Sequence, residues 1–330
     1  MSGTTILRDV AHAAGVSLRT ASRVLNDDPR VAEATRTRVR QAMIDLRYTP
    51  DPLARSLRGG TDATIGLVVE SVADPFFAEL AAAVESAASE DDRSVVIAST
   101  HRDPDRERRV VLQMLRRRVS GLLVVPTAGD HAWLAEAAAP LVLVDRPAEG
   151  LAADVVGIDD RQAAFDAVTH LVRHGHRRIA YVGDLPDVAT SAARLDGYRA
   201  ALVSYGLPVR EDLVRADCPT ARSASTATTD LLALEDPPTA VLSAATRCSL
   251  GVVPALHERR RADVALVGFG DFAMADTLVP AVTVVNHSAT EVGAAAAARL
   301  RRRMAEPGLP VETVHVPVRL VPRGSGEVGP

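Results

Sequence analysis

A small all-α head followed by a larger, two-lobed α/β core is the fold class this sequence predicts, and three observations carry it. Residues 5–26 read as two short amphipathic helices around one glycine. From residue 61 on, apolar runs suited to buried strands alternate with segments of helical periodicity, which gives parallel sheets covered by helices on both faces. The charge also changes sign. Residues 1–60 carry ten arginines against six acids, net +4, whereas the whole chain carries −4, leaving −8 for the remainder. A basic head on an acidic body points to nucleic acid at one end only.

In the stretch TILRDVAHAAGVSLRTASRVLN, Ile6, Val10 and Ala13/Ala14 recur at helical spacing and share a face. Gly15 ends that helix, being free to take a positive φ. Val16 is the apolar residue of the turn, and Ser17 is placed to cap a second helix with its hydroxyl. Ala21, Val24 and Leu25 form the buried side of the second helix, and Leu18, Arg19, Thr20, Ser22, Arg23 and Asn26 its outer side. Two helices joined through a glycine turn, the second presenting Arg, Thr, Ser and Asn, make a helix-turn-helix, whose second helix is expected in a DNA major groove. A plain helical hairpin is the alternative, and the sequence that follows weighs against it. Residues 33–46 predict a third helix with Val39, Met43 and Leu46 towards a core, although Ala32 offers its start no capping side chain.

Residues 1–48 are therefore read as the head and 49–60, TPDPLARSLRGG, as a linker. Pro50 and Pro52 forbid helix before Leu53, and Gly59-Gly60 stops one. Leu53, Ala54 and Leu57 between them make a small apolar face, too short to hold as a helix alone in water. The linker is expected to order only on DNA.

The core, 61–330, reads in order as strand ATIGLVVES, helix FFAELAAAVESAASEDD, strand SVVIAST, helix PDRERRVVLQMLRRR, strand GLLVVPT, helix DHAWLAEAAA and strand PLVLVDRP. Helix RQAAFDAVTHLVRHG, strand RRIAYVGD and helix SAARLDGYRAALVSYG repeat the pattern, then strands TAVLSAA and DVALVGFGD with helix SLGVVPALHERR between them. Strand VTVVN recrosses between lobes, and helix TEVGAAAAARLRRRMAE, strand VHVPVRLVPR and a loop GSGEVGP close the sequence. Nothing resembles a signal peptide or an 18-residue apolar span, so a cytoplasmic protein with no membrane partner is expected. Cys218 and Cys248 are too few for a disulfide framework and are read as reduced.

DVAHAAGVSLRTASRVLN, TRTRVRQAMIDLRYTP and LARSLRGG together resemble the lac repressor/galactose repressor family of bacterial transcription factors. The segments DPFFAEL, RRVSGLLVVP, LVLVDRP, GHRRIAYVG, ARLDGYRAAL and VALVGFGD continue that resemblance over essentially the whole chain. It implies a core of the type I periplasmic-binding-protein kind, with parallel sheets and three crossovers. The N-lobe would take about residues 61–160 and 291–318, and the C-lobe about 161–290 and 319–330. It also implies a homodimer on an approximately palindromic double-stranded operator. The C-terminal tail has no leucine heptad that would add a tetramer.

By the same resemblance, Leu18, Arg19 and Arg23 face bases, and Leu57 wedges between central base pairs beside Ala54. Ser17 caps the helix, and Thr20, Ser22, Asn26, Arg30 and Tyr48 position the DNA backbone. A small-molecule effector is expected between the lobes, at the C-terminal ends of the strands. Phe76 and Phe77 offer ring faces, and Asp145, Arg146 and Arg194 offer polar contacts; Asp159, near the first crossover, is read as structural. The pattern departs from relatives elsewhere. Ala245-Thr246 replaces Asn-Asp, Gly270 replaces an acid of the G-F-D-D turn, His287 replaces a common Gln, and Cys218 stands near a frequent aromatic. Hydroxyls of a simple sugar would lose partners there. The effector is then a sugar or an unusual, anionic metabolite at Arg146 and Arg194, or the cleft is vestigial and the regulator ligand-independent.

Other chemistry is set aside. The run Gly268-Phe269-Gly270-Asp271-Phe272-Ala273 follows a strand, but Pro280 cuts short the helix a dinucleotide site needs. His170, His174 and His176 lack a nearby carboxylate or thiol in sequence and read as a helix end, so no metal is expected. The absence of lysine excludes a P-loop and a pyridoxal Schiff base. No nucleophile–histidine–acid signature appears, so neither catalytic residues nor a cofactor are expected. Arg116–Arg118 and Arg301–Arg303 are read as solvated helix ends. A transport solute-binding protein and a nucleotide-dependent enzyme are the alternatives from other classes; the first does not explain the head, and the second lacks catalytic groups.

Overall fold

A computed structural model describes residues 6–25, 28–48 and 64–330. These fall into two units that divide at residues 62/63. In the first, α1 (Leu7–Ala13), α2 (Leu18–Leu25) and α3 (Glu33–Asp45) enclose Val10, Ala14, Ala21, Val24, Val39 and Ala42. The buried face of α1 runs through Leu7, Val10, Ala11 and Ala14; Ile6 and Ala13, expected on it, are exposed. The register shifts because the helix starts at Leu7. Ile6 stays outside as the N-cap, its N–H donating to Asp9 Oδ2 at 2.9 Å. Gly15 has φ +63°, and α3 starts at Ala32 without a side-chain cap.

The second unit holds two six-stranded sheets. The first is built from β1 (Thr64–Val69), β2 (Ser94–Ser99), β3 (Gly121–Val124), β4 (Leu141–Asp145), β5 (Asp154–Gly157) and β11 (Thr313–His315), in the order β11-β5-β4-β3-β1-β2, all parallel. The second uses β6 (Ile179–Val182), β7 (Val214–Arg215), β8 (Ala240–Ser243), β9 (Ala265–Phe269), β10 (Thr283–Asn286) and β12 (Arg319–Val321), in the order β12-β10-β9-β8-β6-β7, with only β12 antiparallel.

Helices cover both faces of each sheet, which is why the inner strands are continuous apolar runs. In the N-lobe, α4 (Pro75–Ser89) and α10 (Ala289–Ala305) pack on one face and α5 (Pro104–Arg116) on the other. In the C-lobe, α6 (Asp160–Arg173) and α7 (Ala189–Ser204) pair on one face, with α8 (Ala221–Leu232) and α9 (Thr246–Glu258) on the other. The chain passes between lobes three times, at residues 158–159, 287–288 and 316–318.

The sequence reading includes neither β5 nor β7, and two segments that it does include differ in the structure. DHAWLAEAAA forms only a 3-10 turn, Ala132–Leu134, because tertiary bonds outweigh alanine's helix propensity. The buried His131 ring lies 2.7 Å by Nε2 from Glu107 Oε1 and 2.8 Å by Nδ1 from the Gly129 carbonyl, and Asp130 accepts from the Ala132 N–H at 2.9 Å. The final strand is also two short ones split between lobes, and the tail is not a free loop. Ser325 Oγ donates to the Leu266 carbonyl at 2.6 Å, and Glu327 accepts from Thr283 Oγ1 at 2.8 Å. His170 Nε2 lies 2.6 Å from Glu327 Oε1, and His176 Nε2 lies 2.7 Å from the Val328 carbonyl. His170 and His176 thus bind the tail.

Both ring nitrogens of His131 face acceptors, so this geometry holds an imidazolium. Burial opposes the charge, but the Glu107 carboxylate outweighs it and raises the pKa. The stability this pair contributes is complete below the unfolded value of about 6.5. It is lost as pH rises through the raised folded value. Thermal melts from pH 6 to 9 are expected to show the advantage of the native chain over His131→Gln shrinking with pH.

Candidate DNA interface and inter-lobe cleft

In the head, Ser17 Oγ accepts the Thr20 N–H at 3.1 Å and lies 2.9 Å from Thr20 Oγ1, so the start of α2 is capped by the residue the sequence nominates. Leu18 is 43% exposed, Arg19 is exposed, and Thr20, Ser22 and Arg23 are half-buried along the same helix. Arg19 has no partner among the described residues, which leaves its guanidinium fork open. Arg30, read from the sequence as positioning the DNA backbone, is paired with an acid of the head itself. Its Nε and Nη2 grip Asp28 at 2.9 and 2.8 Å, and Arg23 Nε stands 3.7 Å from the same carboxylate. The Arg30 guanidinium holds the Asp28 carboxyl far below the usual range. Asp28, which the motif does not single out, thus ties the end of α2 to the following turn. Tyr48 is half-buried against the head core. Asn26, Ala54 and Leu57 lie outside the described residues.

The second region is the cleft where the C-terminal ends of both sets of strands meet. Phe76, Asp145, Arg146, Arg194, Gly270 and His287 all come to it. Phe77 reaches its edge but is mainly N-lobe core, edge-on to Phe76 at 5.3 Å. The Phe76 and Phe269 rings lie 5.0 and 5.4 Å from His287. Burial, with the Arg194 charge adding to it, pushes the His287 pKa down to about 3, so the ring is neutral, and its Nδ1 is buried without a hydrogen-bond partner. Asp145 sits at φ +72°, and burial raises the pKa of its carboxyl. Asp159 caps α6, accepting the Gln162 N–H at 2.9 Å, and Cys218 is buried in the C-lobe core.

The arginines expected to meet an effector are already engaged. Arg194 donates to Asp160 Oδ1 at 2.7 Å and the Ala244 carbonyl at 2.9 Å, and lies 3.9 Å over the Phe269 ring. Burial pushes its partner Asp160 up to about 6. Arg146 donates to the Pro126 carbonyl at 2.9 Å and to Glu70 at 3.3 Å.

Sequence reasoning does not reach the rest of the cleft. Arg102 Nε donates to Glu70 at 2.7 Å, while both its Nη atoms grip Asp184 in the other lobe. Arg247 reaches back, donating to Glu70 at 2.8 Å, Asp74 at 3.2 Å and Asp184 at 3.2 Å. The space left among these groups is about 70 Å³, and a neighbouring hollow beside Arg102, Thr127 and Leu185 holds about 220 Å³. Small-molecule pockets commonly run to about 300–1,000 Å³. One signal would have found Glu70 and Asp184: each is the first charged side chain after a buried apolar strand. Arg247 gives the same signal, being the first charged side chain after the buried strand β8.

Among the described residues, no group of three or more His, Cys, Asp and Glu is arranged to hold a metal ion, and no helix is long and apolar enough to cross a membrane.

The missing acid at 270 has a steric counterpart. Gly270 has φ +84°, and a Cβ there would lie 2.2 Å from Thr246 Oγ1. Restoring the acid alone, Gly270→Asp, is expected to lower stability by about 1–3 kcal/mol through backbone strain and overlap. Adding Thr246→Gly relieves the overlap and recovers part of that loss. Urea unfolding of both variants checks it.

The pattern for bacterial regulatory proteins of the lacI family matches residues 6–51, and that for a periplasmic binding protein-like domain matches residues 168–326. The chain is 34% identical over 288 residues to the HTH-type transcriptional regulator GalR of Salmonella typhimurium, covering 85% of this chain and 84% of that one. It is 30% identical over 328 residues to the ribose operon repressor of Escherichia coli, covering 97% and 99%. Among solved structures, the lac repressor dimer bound to operator and the anti-inducer ONPF superposes with a TM-score of 0.88, at 26% identity, covering 98% of this chain and 99% of that one. These relatives are transcriptional regulators rather than enzymes, and the chain belongs to the lacI family of bacterial regulatory proteins.

Proposed function

We propose that this chain represses transcription from the cytoplasm, as a homodimer whose two α2 helices read the halves of an approximately palindromic operator. The observation that carries the reading is the outer side of α2, capped by Ser17 and carrying Leu18 and Arg19, whose guanidinium has no partner among the described residues. Arginine's fork fits guanine O6 and N7 in the major groove. Residues 49–60 supply the linker, with Ala54 and Leu57 its apolar contacts in the minor groove.

Exposed apolar groups on the core support pairing with a second copy. Val279 is 95% exposed and Met274 69%, and a groove of about 700 Å³ lies between α9 and the segment holding Val279. On the N-lobe, Val72, Val96 and Ile97 are exposed on and beside the edge strand β2.

The cleft is the place for an effector that shifts operator affinity, and effector and operator then change each other's binding reciprocally. Phe76 and His287 are the groups placed to meet it, beside Asp145, whose carboxylate lies 3.5 Å from Arg146. An anion at Arg146 and Arg194 would have to displace Glu70 and Asp160. A second reading, a regulator that needs no effector, is favoured by the ion pairs that already fill the cleft.

Selection from a random duplex library is expected to return a palindromic consensus. Arg19→Ala should lose about 1–3 kcal/mol of discrimination at one base-pair position in each half-site. Ser22→Ala should weaken all selected duplexes alike. An unchanged consensus for Arg19→Ala would remove that residue from base reading. Binding that shows no half-site symmetry would count against the dimer.

A further inference from the structure

We propose that Arg247, supported by Arg102, stands in for a ligand: a guanidinium of the chain itself closes the two lobes when the cleft is otherwise empty. The inference rests on the effector reading only for the place it assigns to the cleft.

Arg247 is the second residue of α9, in the C-lobe. A cation there is opposed by the positive end of the helix dipole, so its own helix gives no reason for it. Its charge is answered across the cleft. Nη2 donates to Glu70 and Asp74 of the N-lobe, and Nη1 to Asp184 of its own lobe. Arg102 mirrors it from the N-lobe, with Nε on Glu70 and both Nη atoms on Asp184. Two forks and three carboxylates thus join the lobes through bonds of both directions.

Glu70 and Asp184 keep 9% and 8% of their side-chain surface exposed, so these ions are largely withdrawn from water and lose much if left unpaired. The residues that relatives place around a ligand have receded at the same spot. Ala245 has no polar group, Gly270 has no side chain, and Thr246 fills the space beside it. The space left among these residues is about 70 Å³, too little for a sugar ring, with a separate hollow of about 220 Å³ beside Arg102. Closure that other members could draw from a bound molecule is here intramolecular, and an effector enters only by separating Arg247 from its carboxylates. Such a molecule must bind the open form better than the closed one by more than the latch contributes.

The test uses the full chain without DNA, so it reads the latch whether or not an effector exists. Hydrogen exchange is followed in segments 70–77, 145–147 and 184–194 for the native chain and Arg247→Ala. At least tenfold faster exchange in these cleft segments is expected, with the strand interiors unchanged. Methylguanidinium at millimolar concentration, the excised head of the side chain, should restore protection and raise the Tm of Arg247→Ala while leaving the native chain unmoved. Unchanged cleft exchange, or equal response of both proteins to methylguanidinium, overturns the proposal. Should Arg247→Ala fail to fold, Arg102→Gln and Asp184→Asn read the same latch. Singly, each speeds cleft exchange; together, they exchange no faster than the faster single variant. Fully additive effects overturn it.

Discussion

Covering both faces of two parallel sheets is the constraint from which the rest of this core follows. A strand buried on both sides cannot carry charge along its length, because an ion left there unpaired has nowhere to go. Polar chemistry is therefore pushed to the strand ends. The βα connections place the C-terminal ends of the parallel strands of each lobe on one edge. Glu70, Asp145, Arg146 and Asp184 emerge there at or just after the end of a buried strand, and Arg102 follows the edge strand β2. With three passages of the chain joining the lobes, the two charged edges are held face to face.

Facing edges of this kind must balance. Arg102, Arg146, Arg194 and Arg247 meet Glu70, Asp74, Asp145, Asp160 and Asp184 in a confined space. Buried ion pairs seldom add much net stability, since desolvation cancels most of the attraction. What they supply is geometry: an arginine fork accepts few arrangements of carboxylates, so the closed form is defined narrowly. His287 is the exception in this setting, a neutral ring with an idle nitrogen between two aromatic faces.

The head and the order of elements were legible because they rest on local rules. A capping serine, a glycine at positive φ and apolar periodicity act within a few residues, and Ser17, Gly15 and the βα alternation all read directly. Most of what the sequence missed lies in contacts between residues far apart in the chain. His131 gives up a helix for Glu107, 24 residues away, and His170 holds Glu327, 157 residues away. Asp145, Arg146 and Arg194 were found by resemblance, yet their partners were not, since Glu70 and Asp160 pair with them only in the folded chain. Arg247 follows β8 and the Ala245-Thr246 pair directly, and what hid it was its partners, Glu70 and Asp184, which only the folded chain brings to it.

The three passages between lobes also dictate an order of assembly. Strand β11 completes the N-lobe sheet, while β12, Ser325 and Glu327 complete the C-lobe. Both sets lie within residues 313–327. They follow every other strand of both sheets, so a nascent chain can shape its head early but must carry two unfinished sheets until residues 313–327 have emerged. The lobes then close within moments of each other, and exposure of their open edges to chaperones is set by the pace of synthesis.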